Sequence, residues 1–458
     1  MHMNVRKPAL QFKEPIKPPN RTEKRVATYE VTTITPIYGG GVKAGETDRN
    51  LPIRPTAIRG KLRYWWRFLA SHRQDNPLSG QLLFEKERTL WGGLGDKNKD
   101  VSSAIGIYLK QVSKPDIKPC CEYTERKNSE SGKPKYDLKF SHGIPAYALF
   151  SGKGKNPSER KTPEDEPANV ILRNLKFELK IQEIRSPLSD ADWHSVLEAV
   201  RWWANFGGLG ARTRRGLGSI AVSGVEPLTN RCVESFGAQL KTLTQTDNAT
   251  EAWQNAIIKL ETFRQGRNIA RQPGNGKQPG RSFWPEPDSI RLITGNTANG
   301  YHPPVNRSGT FPRAAFGLPI IFDFNVPESK DEPPKSELTP AGDLERMASP
   351  LIVKAQYLGD EQYRAIALLL PHEHLENLSV KLKFIDYKLH HQSRFEQLAT
   401  RGRTEKNPWW PKDKNQQQEL ARDIKPLVYA IPCGGQKAKD GNDCDALTAF
   451  MNYFDGKD

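Results

Sequence analysis

The sequence predicts an α+β protein made of two split βαβ units with long polar insertions. Three observations point there. The chain has 458 residues, too many for one ordinary core and suited to two. Within residues 26–230, strand-type alternation and helical spacing take turns in the order β-α-β-β-α-β. A glycine- and arginine-rich run, GGLGARTRRGLG at 207–218, stands just before the last strand of that series.

Each element has a local cause. Residues 1–25 are polar and Pro-rich and predict an N-terminal arm. VATYEVTTIT at 26–35 alternates and is β-branched, which predicts a strand, and PIYGGG ends it as a loop. Residues 56–72 predict a helix, with Thr56 after Pro55 as N-cap and Ile58, Leu62, Trp65, Trp66 and Leu69 on one face. Residues 102–112 predict the second strand. Residues 113–168 are charged, Pro-rich and poor in apolar side chains, the mark of a long insertion. Residues 169–184 alternate as a third strand. Residues 189–205 form an amphipathic helix capped by Ser189 or Asp190, with Trp193, Val196, Leu197 and Val200 as its stripe. After the glycine-rich loop, SIAVSGV gives the last strand. This order is the ferredoxin-like unit, a topology shared with the RNA-recognition module.

The rest, 231–458, predicts a linking helix over 232–265, a Gly/Arg/Pro-rich loop over 266–287 and a second, degenerate ferredoxin-like domain. Its strands are expected at 288–294, 318–326, 350–358, 363–370 and 379–385, with a helical end near 444–455.

Composition narrows the function. Lys and Arg number 69 against 53 acids, a net charge of +16. Such an excess suits a polyanion, either nucleic acid or an anionic membrane surface. No apolar run reaches the roughly 18 residues that cross a bilayer, and the N-terminus has no apolar signal region. Nucleic acid in the cytoplasm, with no membrane, is therefore the expected setting. The five cysteines include no C-x-x-C pair, so neither a zinc knuckle nor a disulfide framework is expected. The adjacent Cys120 and Cys121, with Cys232, Cys433 and Cys444, read as reduced thiols.

Three basic constellations stand out. Arg49, Arg54, Arg59, Lys61, Arg63, Arg67 and Arg73 fall in 49–74 without an acid. Arg59, Arg63 and Arg67 form one helical stripe whose mutual repulsion a polyanion or internal carboxylates must relieve. The run opens at a helix N-terminus, which favours phosphate, against the plainer reading of a solvated face. In the second, glycines such as Gly208 and Gly210 permit φ > 0 and an anion-binding nest. Arg212, Arg214 and Arg215 add guanidinium forks there. It is neither a Walker A loop nor a dinucleotide fingerprint; the alternative is an ordinary helix-to-strand turn. The third holds Arg264, Arg267, Arg271, Lys277 and Arg281, with Phe283 and Trp284 as possible stacking platforms, or else is a surface loop. Catalytic patterns are missing: there is no H-E-x-x-H, G-x-S-x-G or H-x-E…C-x-x-C. His372 with His374, and His390 with His391, have no carboxylates at ligand spacing beyond Glu373 and Glu376, whose match is weak. No metal, cofactor or catalytic residue is expected, and His194 is the sole candidate base near the loop in sequence.

Ordered segments carry a family resemblance: TPIYGGG (35–41), PIRPTAIRGKLRYWWR (52–67), LWGG (90–93), FGGLGARTRRGLGS (206–219), GRSFWPEPDSIR (280–291), FPRAAFGLPIIF (311–322) and RMASPLIVKA (346–355). The chain resembles the RAMP superfamily of CRISPR proteins, and within it the first RAMP subunit of the Cmr (type III-B) effector complex. The resemblance implies two ferredoxin-like domains and a non-catalytic RNA-binding subunit. It implies a place near the 3′ end of the guide RNA, helping engage complementary target RNA in antiviral defence beside the other Cmr subunits. The residues carried into an RNA-binding role are Tyr38, Gly39, Gly40, Arg54, Arg59, Lys61, Arg63, Arg67, Gly208, Gly210, Arg212, Arg214, Arg215 and Arg281. One alternative is a metal-independent RAMP endoribonuclease that processes guide precursors. The other is a generic single-strand binder, which explains the charge but not the ordered motifs.

Overall fold

The computed structural model describes residues 24–41, 45–93, 101–126, 134–185, 187–274, 280–294, 297, 304, 311–324, 332–333, 335–341, 344–377, 380–384 and 446–456. The arm 1–23, Lys277 and the segment 385–445, with His390, His391, Cys433 and Cys444, lie outside the described residues.

The first half runs β1 (Val26–Thr33), β2 (Ile37–Tyr38), α1 (Pro55–His72), α2 (Gly80–Trp91), β3 (Ile105–Lys110), β4 (Ile117–Pro119), β5 (Cys121–Glu125), β6 (Tyr136–Phe140), α3 (Ala146–Leu149), β7 (Asn169–Ile171), β8 (Lys176–Glu183), α4 (Asp190–Phe206) and β9 (Ile220–Val222). Its main sheet has the order β3-β8-β1-β9 with every neighbour antiparallel. β8 thus stands between the strands on either side of α1, and α4 carries the chain to the outer side of β1. Along β8, Phe177, Leu179, Ile181 and Glu183 alternate inward, as a strand with one covered face requires. α1 and α4 cover that face. Trp202 sits 5.7 Å from Trp65 and 5.2 Å from Phe68, and Trp66 Nε1 donates to Ser195 Oγ at 2.9 Å. Ser189 caps α4 by accepting from Asp192 N, while Pro55 starts α1 in the first-turn position where its missing N–H costs nothing.

Several expectations need correcting. Thr56 is not the cap of α1; Arg54 holds that position without a side-chain cap bond. The third strand is two strands, because Asn174 at φ 72° breaks it and β7 pairs with β2 and β4 instead. α2 was not foreseen. The insertion contains β4, the β5–β6 hairpin and α3, and it buries Cys120, Cys121, Ile144, Ala148 and Leu149.

The second half runs α5 (Asn230–Glu234), β10 (Gln239–Thr246), α6 (Ala249–Gln265), α7 (Glu286–Thr294), β11 (Ile320–Phe322), β12 (Ser336–Pro340), β13 (Leu351–Gly359), β14 (Gln362–Leu369), β15 (Val380–Phe384) and α8 (Ala446–Phe454). The single helix expected over 232–265 is interrupted by β10, and Asn248 caps α6 through Thr250 N and Glu251 N. The strand expected at 288–294 is α7, whose first turn holds Glu286 and Asp288 as a helix start prefers. Two three-stranded sheets result among the described residues, β10-β14-β13 and β11-β12-β15. No helix among the described residues is long and apolar enough to cross a membrane.

The first of these sheets is buried on both faces. Ile352, Ile366 and Leu368 join the core of α1 and α4. Leu351, Val353, Ala355, Ala365, Ala367 and Leu369 join a second core with Trp253, Ile257 and Leu260 of α6 and Leu447, Phe450 and Phe454 of α8. On the face toward α4, β13 also presents two polar residues. Lys354 Nζ donates to Gly207 O at 2.7 Å, and Gln356 Nε2 donates to Asn205 Oδ1 at 2.5 Å. Lys354 is fully buried, and burial pushes its ammonium down from 10.5 to about 7.

That depressed value sets a pH dependence. Between pH 7 and 10.5 the unfolded chain holds a proton at Lys354 that the folded chain has lost. Stability therefore rises with pH across that window, by at most about 1.4 kcal/mol per pH unit, and the burial penalty is fully present below it. Thermal melts of the parent and Lys354→Met should diverge in slope between pH 7 and 9, the parent gaining with pH and the variant not. Parallel curves would show that the ammonium stays protonated in its site.

Candidate nucleic-acid interface

The glycine-rich loop leaves α4 at Gly207 and closes on itself. Leu209 N donates to Gly218 O at 2.9 Å, Gly218 N to Pro36 O at 2.8 Å, and Ala211 N to Tyr38 O at 2.7 Å. Trp203 Nε1 donates to Gly208 O at 3.3 Å, and Trp253 Nε1 to Arg215 O at 2.8 Å. Two glycines are required by close approach. A Cβ on Gly210, at φ +71°, would lie 2.4 Å from Tyr38 O, and one on Gly208 would lie 2.7 Å from Gly218 O. The expected nest is thus folded against its own chain: the closeness that glycine permits here is to Tyr38 and Gly218. Gly39, at φ +70°, packs its Cα side toward Ala211, whereas the space beside Gly40 is open. Tyr38–Gly40 and Gly210–Arg212 therefore form one surface.

The three arginines of the loop splay to three different elements. Arg212, in the left-handed region at φ 55°, where a non-glycine residue is uncommon, reaches Ala148 O at 3.3 Å and Ser151 Oγ at 2.7 Å in the insertion. Arg214 donates to Ser349 O and to Tyr64 Oη at 3.0 Å, and stacks on the Tyr64 ring. Arg215 lies over the Tyr147 ring at 5.3 Å; burial pushes its guanidinium below the ordinary value.

α1 divides its cations between two sides. Lys61 is turned toward the loop: burial, and then the Arg214 charge, lower its ammonium. Arg59, Arg63 and Arg67 lie roughly 120–160° away around the helix at about 100° per residue. They face α2, where Arg63 pairs with the buried Glu87 at 2.8 Å and Arg67 approaches it at 3.7 Å. Arg59 donates to Trp91 O at 3.4 Å, and burial, then Arg63, lowers it. Arg54 pairs with Asp48 at 2.9 Å. The structure therefore brings Tyr38, Gly39, Gly40, Lys61, Gly208, Gly210, Arg212, Arg214 and Arg215 together. It does not bring Arg59, Arg63 and Arg67 to the same side. Glu87 is the carboxylate that relieves their repulsion, and a count confined to 49–74 could not see it.

The third constellation is mostly internal. Arg281 pairs with Asp288 at 2.8 Å. Trp284 is buried against Phe263 and Phe316, so it is no stacking platform. Glu286, fully buried, accepts from Arg313 N at 2.6 Å and pairs with its guanidinium at 3.1 Å. That contact ties GRSFWPEPDSIR to FPRAAFG. His194 is exposed in the first turns of α4, about 18 Å along the helix axis from the loop at 1.5 Å per residue. Tyr64 and Tyr147 were missed; Tyr64 lies inside the segment 52–67 and Tyr147 inside the insertion, and only the contact with an arginine marks them.

Residues 30–221 match the model of the RAMP superfamily, and the resemblance to that superfamily holds over this stretch. No curated protein matches the chain. Among solved structures it is similar to Cmr1 from Pyrococcus furiosus in its apo crystal form, at 16% identity over 82% of this chain and 96% of that one, TM-score 0.37. It is similar to a chain of the type III-B Cmr-beta complex bound to cognate target RNA, at 12% identity over 82% and 99%, TM-score 0.39. It is also similar to Cmr6 from Pyrococcus furiosus, at 12% identity over 44% and 99%, TM-score 0.23.

The loop geometry predicts opposite outcomes for two glycines. Gly60 lies inside α1 with nothing near its missing Cβ, so Gly60→Ala should stabilise by about 1 kcal/mol through helix propensity. Gly210→Ala should destabilise, through positive φ and the Tyr38 carbonyl. Denaturant titration of both variants checks the pair; an unchanged Gly210→Ala would mean that the loop relaxes at no cost.

Proposed function

We propose that the chain is a non-catalytic RNA-binding subunit of a type III-B CRISPR (Cmr) ribonucleoprotein. It would sit near the 3′ end of the guide RNA and help engage complementary target RNA, with both halves variants of the ferredoxin-like unit. The observation that carries this reading is the convergence of two separated family segments: TPIYGGG and the glycine-rich loop meet through Ala211 N and Tyr38 O. The surface they build holds Lys61, Arg212 and Arg214, with Arg215 turned behind it onto Tyr147. Guanidinium forks and an ammonium address phosphate oxygens, which position a strand without reading its sequence. The net charge of +16 supports a polyanionic partner in the same way. Guide RNA, target RNA and neighbouring Cmr subunits are the partners this reading requires. The place of His194, far along α4 from the loop, counts against an endoribonuclease that uses it as base.

Purified protein should bind single-stranded RNA with little sequence preference. Log affinity should fall with log salt by about 0.7 for each phosphate neutralised. Arg212→Ala should weaken binding about tenfold, the worth of a charge-assisted hydrogen bond, and Arg212→Lys by less, because the charge stays and the fork goes. Labelled guide precursor and target RNA should remain intact with and without magnesium. A flat salt response overturns RNA binding, and specific cleavage lost in His194→Ala overturns the non-catalytic reading.

A further inference from the structure

Behind the loop lies a second group of arginines drawn from distant parts of the chain. Arg215 comes from the 3₁₀ turn Thr213–Arg215, Arg264 from the last turn of α6, and Arg313 from the 3₁₀ turn Pro312–Phe316. Their common neighbour is Tyr147 of the insertion. The Arg215 and Arg264 guanidinium carbons lie 5.3 and 6.0 Å from the centre of its ring. The three cations also feel one another, for the Arg264 charge lowers both Arg215 and Arg313 after burial has done so.

Among the described residues, Arg313 is the member of this group with a carboxylate partner, Glu286 at 3.1 Å. Donors are left over. Arg215 Nη1 and Arg264 Nε are fully buried as atoms and have no hydrogen-bond partner among the described residues. Tyr147 and Phe316 cover the flat faces of these groups, and Tyr147 also hydrogen-bonds Arg215, but Arg215 Nη1 and Arg264 Nε stay without an acceptor among the described residues. Buried polar groups are nearly always paired, and an orphan of this kind calls for an absent acceptor. Each of the three residues nevertheless keeps some solvent exposure, so the group lies at the edge of the core and not at its centre.

We propose that Arg215, Arg264 and Arg313, gathered beside Tyr147, form an anion recess that takes one phosphate group. A phosphate supplies several acceptor oxygens and the negative charge that the surplus of guanidinium groups lacks. Two sources share this chemistry: a phosphodiester of single-stranded RNA and free phosphate. For the RNA source the inference rests on the function proposed above; for the phosphate group itself it does not. It adds to the surface of the loop a deeper contact contributed by both halves of the chain and by the insertion.

The test uses the full chain as parent, Arg264→Gln, Arg264→Lys and, as control, Arg231→Gln on the exposed side of α5. Melting is followed in inorganic phosphate and in chloride at equal ionic strength, and binding to single-stranded RNA is titrated at fixed salt. Phosphate should raise the melting temperature of the parent and of Arg231→Gln, and raise it much less in Arg264→Gln. RNA affinity should fall about tenfold in Arg264→Gln, the loss of one charge-assisted contact, with Arg231→Gln close to the parent. Arg264→Lys should lie between, and it stands in if Arg264→Gln does not fold. Loss of the phosphate response with RNA affinity unchanged assigns the recess to free phosphate. A parent that binds no RNA overturns the proposed function, while the phosphate arm still decides the recess. Equal melting of the parent in phosphate and chloride, with a folded Arg264 variant that binds RNA like the parent, overturns the inference and leaves a stacking brace.

Discussion

Two-sided burial of β13 and β14 is the constraint on which the rest of the molecule depends. A strand with apolar residues on both faces must be covered on both. One face is covered by α1 and α4 of the first half, the other by α6 and α8 of the second. Where the first of these contacts reaches the end of α4, apolar packing gives way to Lys354 and Gln356. They meet the carbonyl of Gly207 and the amide of Asn205 at the point where the helix stops. Asn205 also accepts from Leu228 N at 3.0 Å and donates to Arg201 O at 2.9 Å. The glycine-rich loop therefore begins from a fixed position. Its geometry is set by the sheet beneath it as much as by its own glycines.

A second theme is how much positive charge the fold spends on itself. Arg54, Arg63 and Arg281 are held by Asp48, Glu87 and Asp288, and Arg214 by Tyr64 and the Ser349 carbonyl. An ion pair of this sort adds little to stability when exposed, but it fixes where a guanidinium stands. A fixed guanidinium can present its remaining N–H groups to a strand with less ordering to be done on binding.

What the sequence revealed follows from the range of each signal. β8 and α4 were legible because alternation, an apolar stripe and a serine cap are all local. β10, QLKTLTQT, was not, because its polar threonines sit between two helices and resemble a linker. α7 was read as a strand on the apolar run in DSIRLIT, although Glu286 and Asp288 are helix-start signals. α2 holds the partner of the arginine stripe, yet nothing in 49–74 points to it, since ion pairs form in space and not along the chain. The order of the motifs was legible; that Tyr38 would lie against Ala211 was not, for it depends on the pairing of strands far apart.

The insertion has a consequence for how the chain reaches this state as it leaves the ribosome. Ile144, Ala148 and Leu149, together with Cys120 and Cys121, lie in a core that Ile34, Val170 and Leu217 of their own half share with the second half. They pack with Trp253 and Ile257 of α6, which emerges about a hundred residues later, roughly 5–20 s of synthesis. Until then these side chains and two adjacent thiols lack the larger part of that core. The first half is accordingly born with an open apolar seam, and the interval before α6 arrives is when a nascent chain of this design most needs shielding from its neighbours.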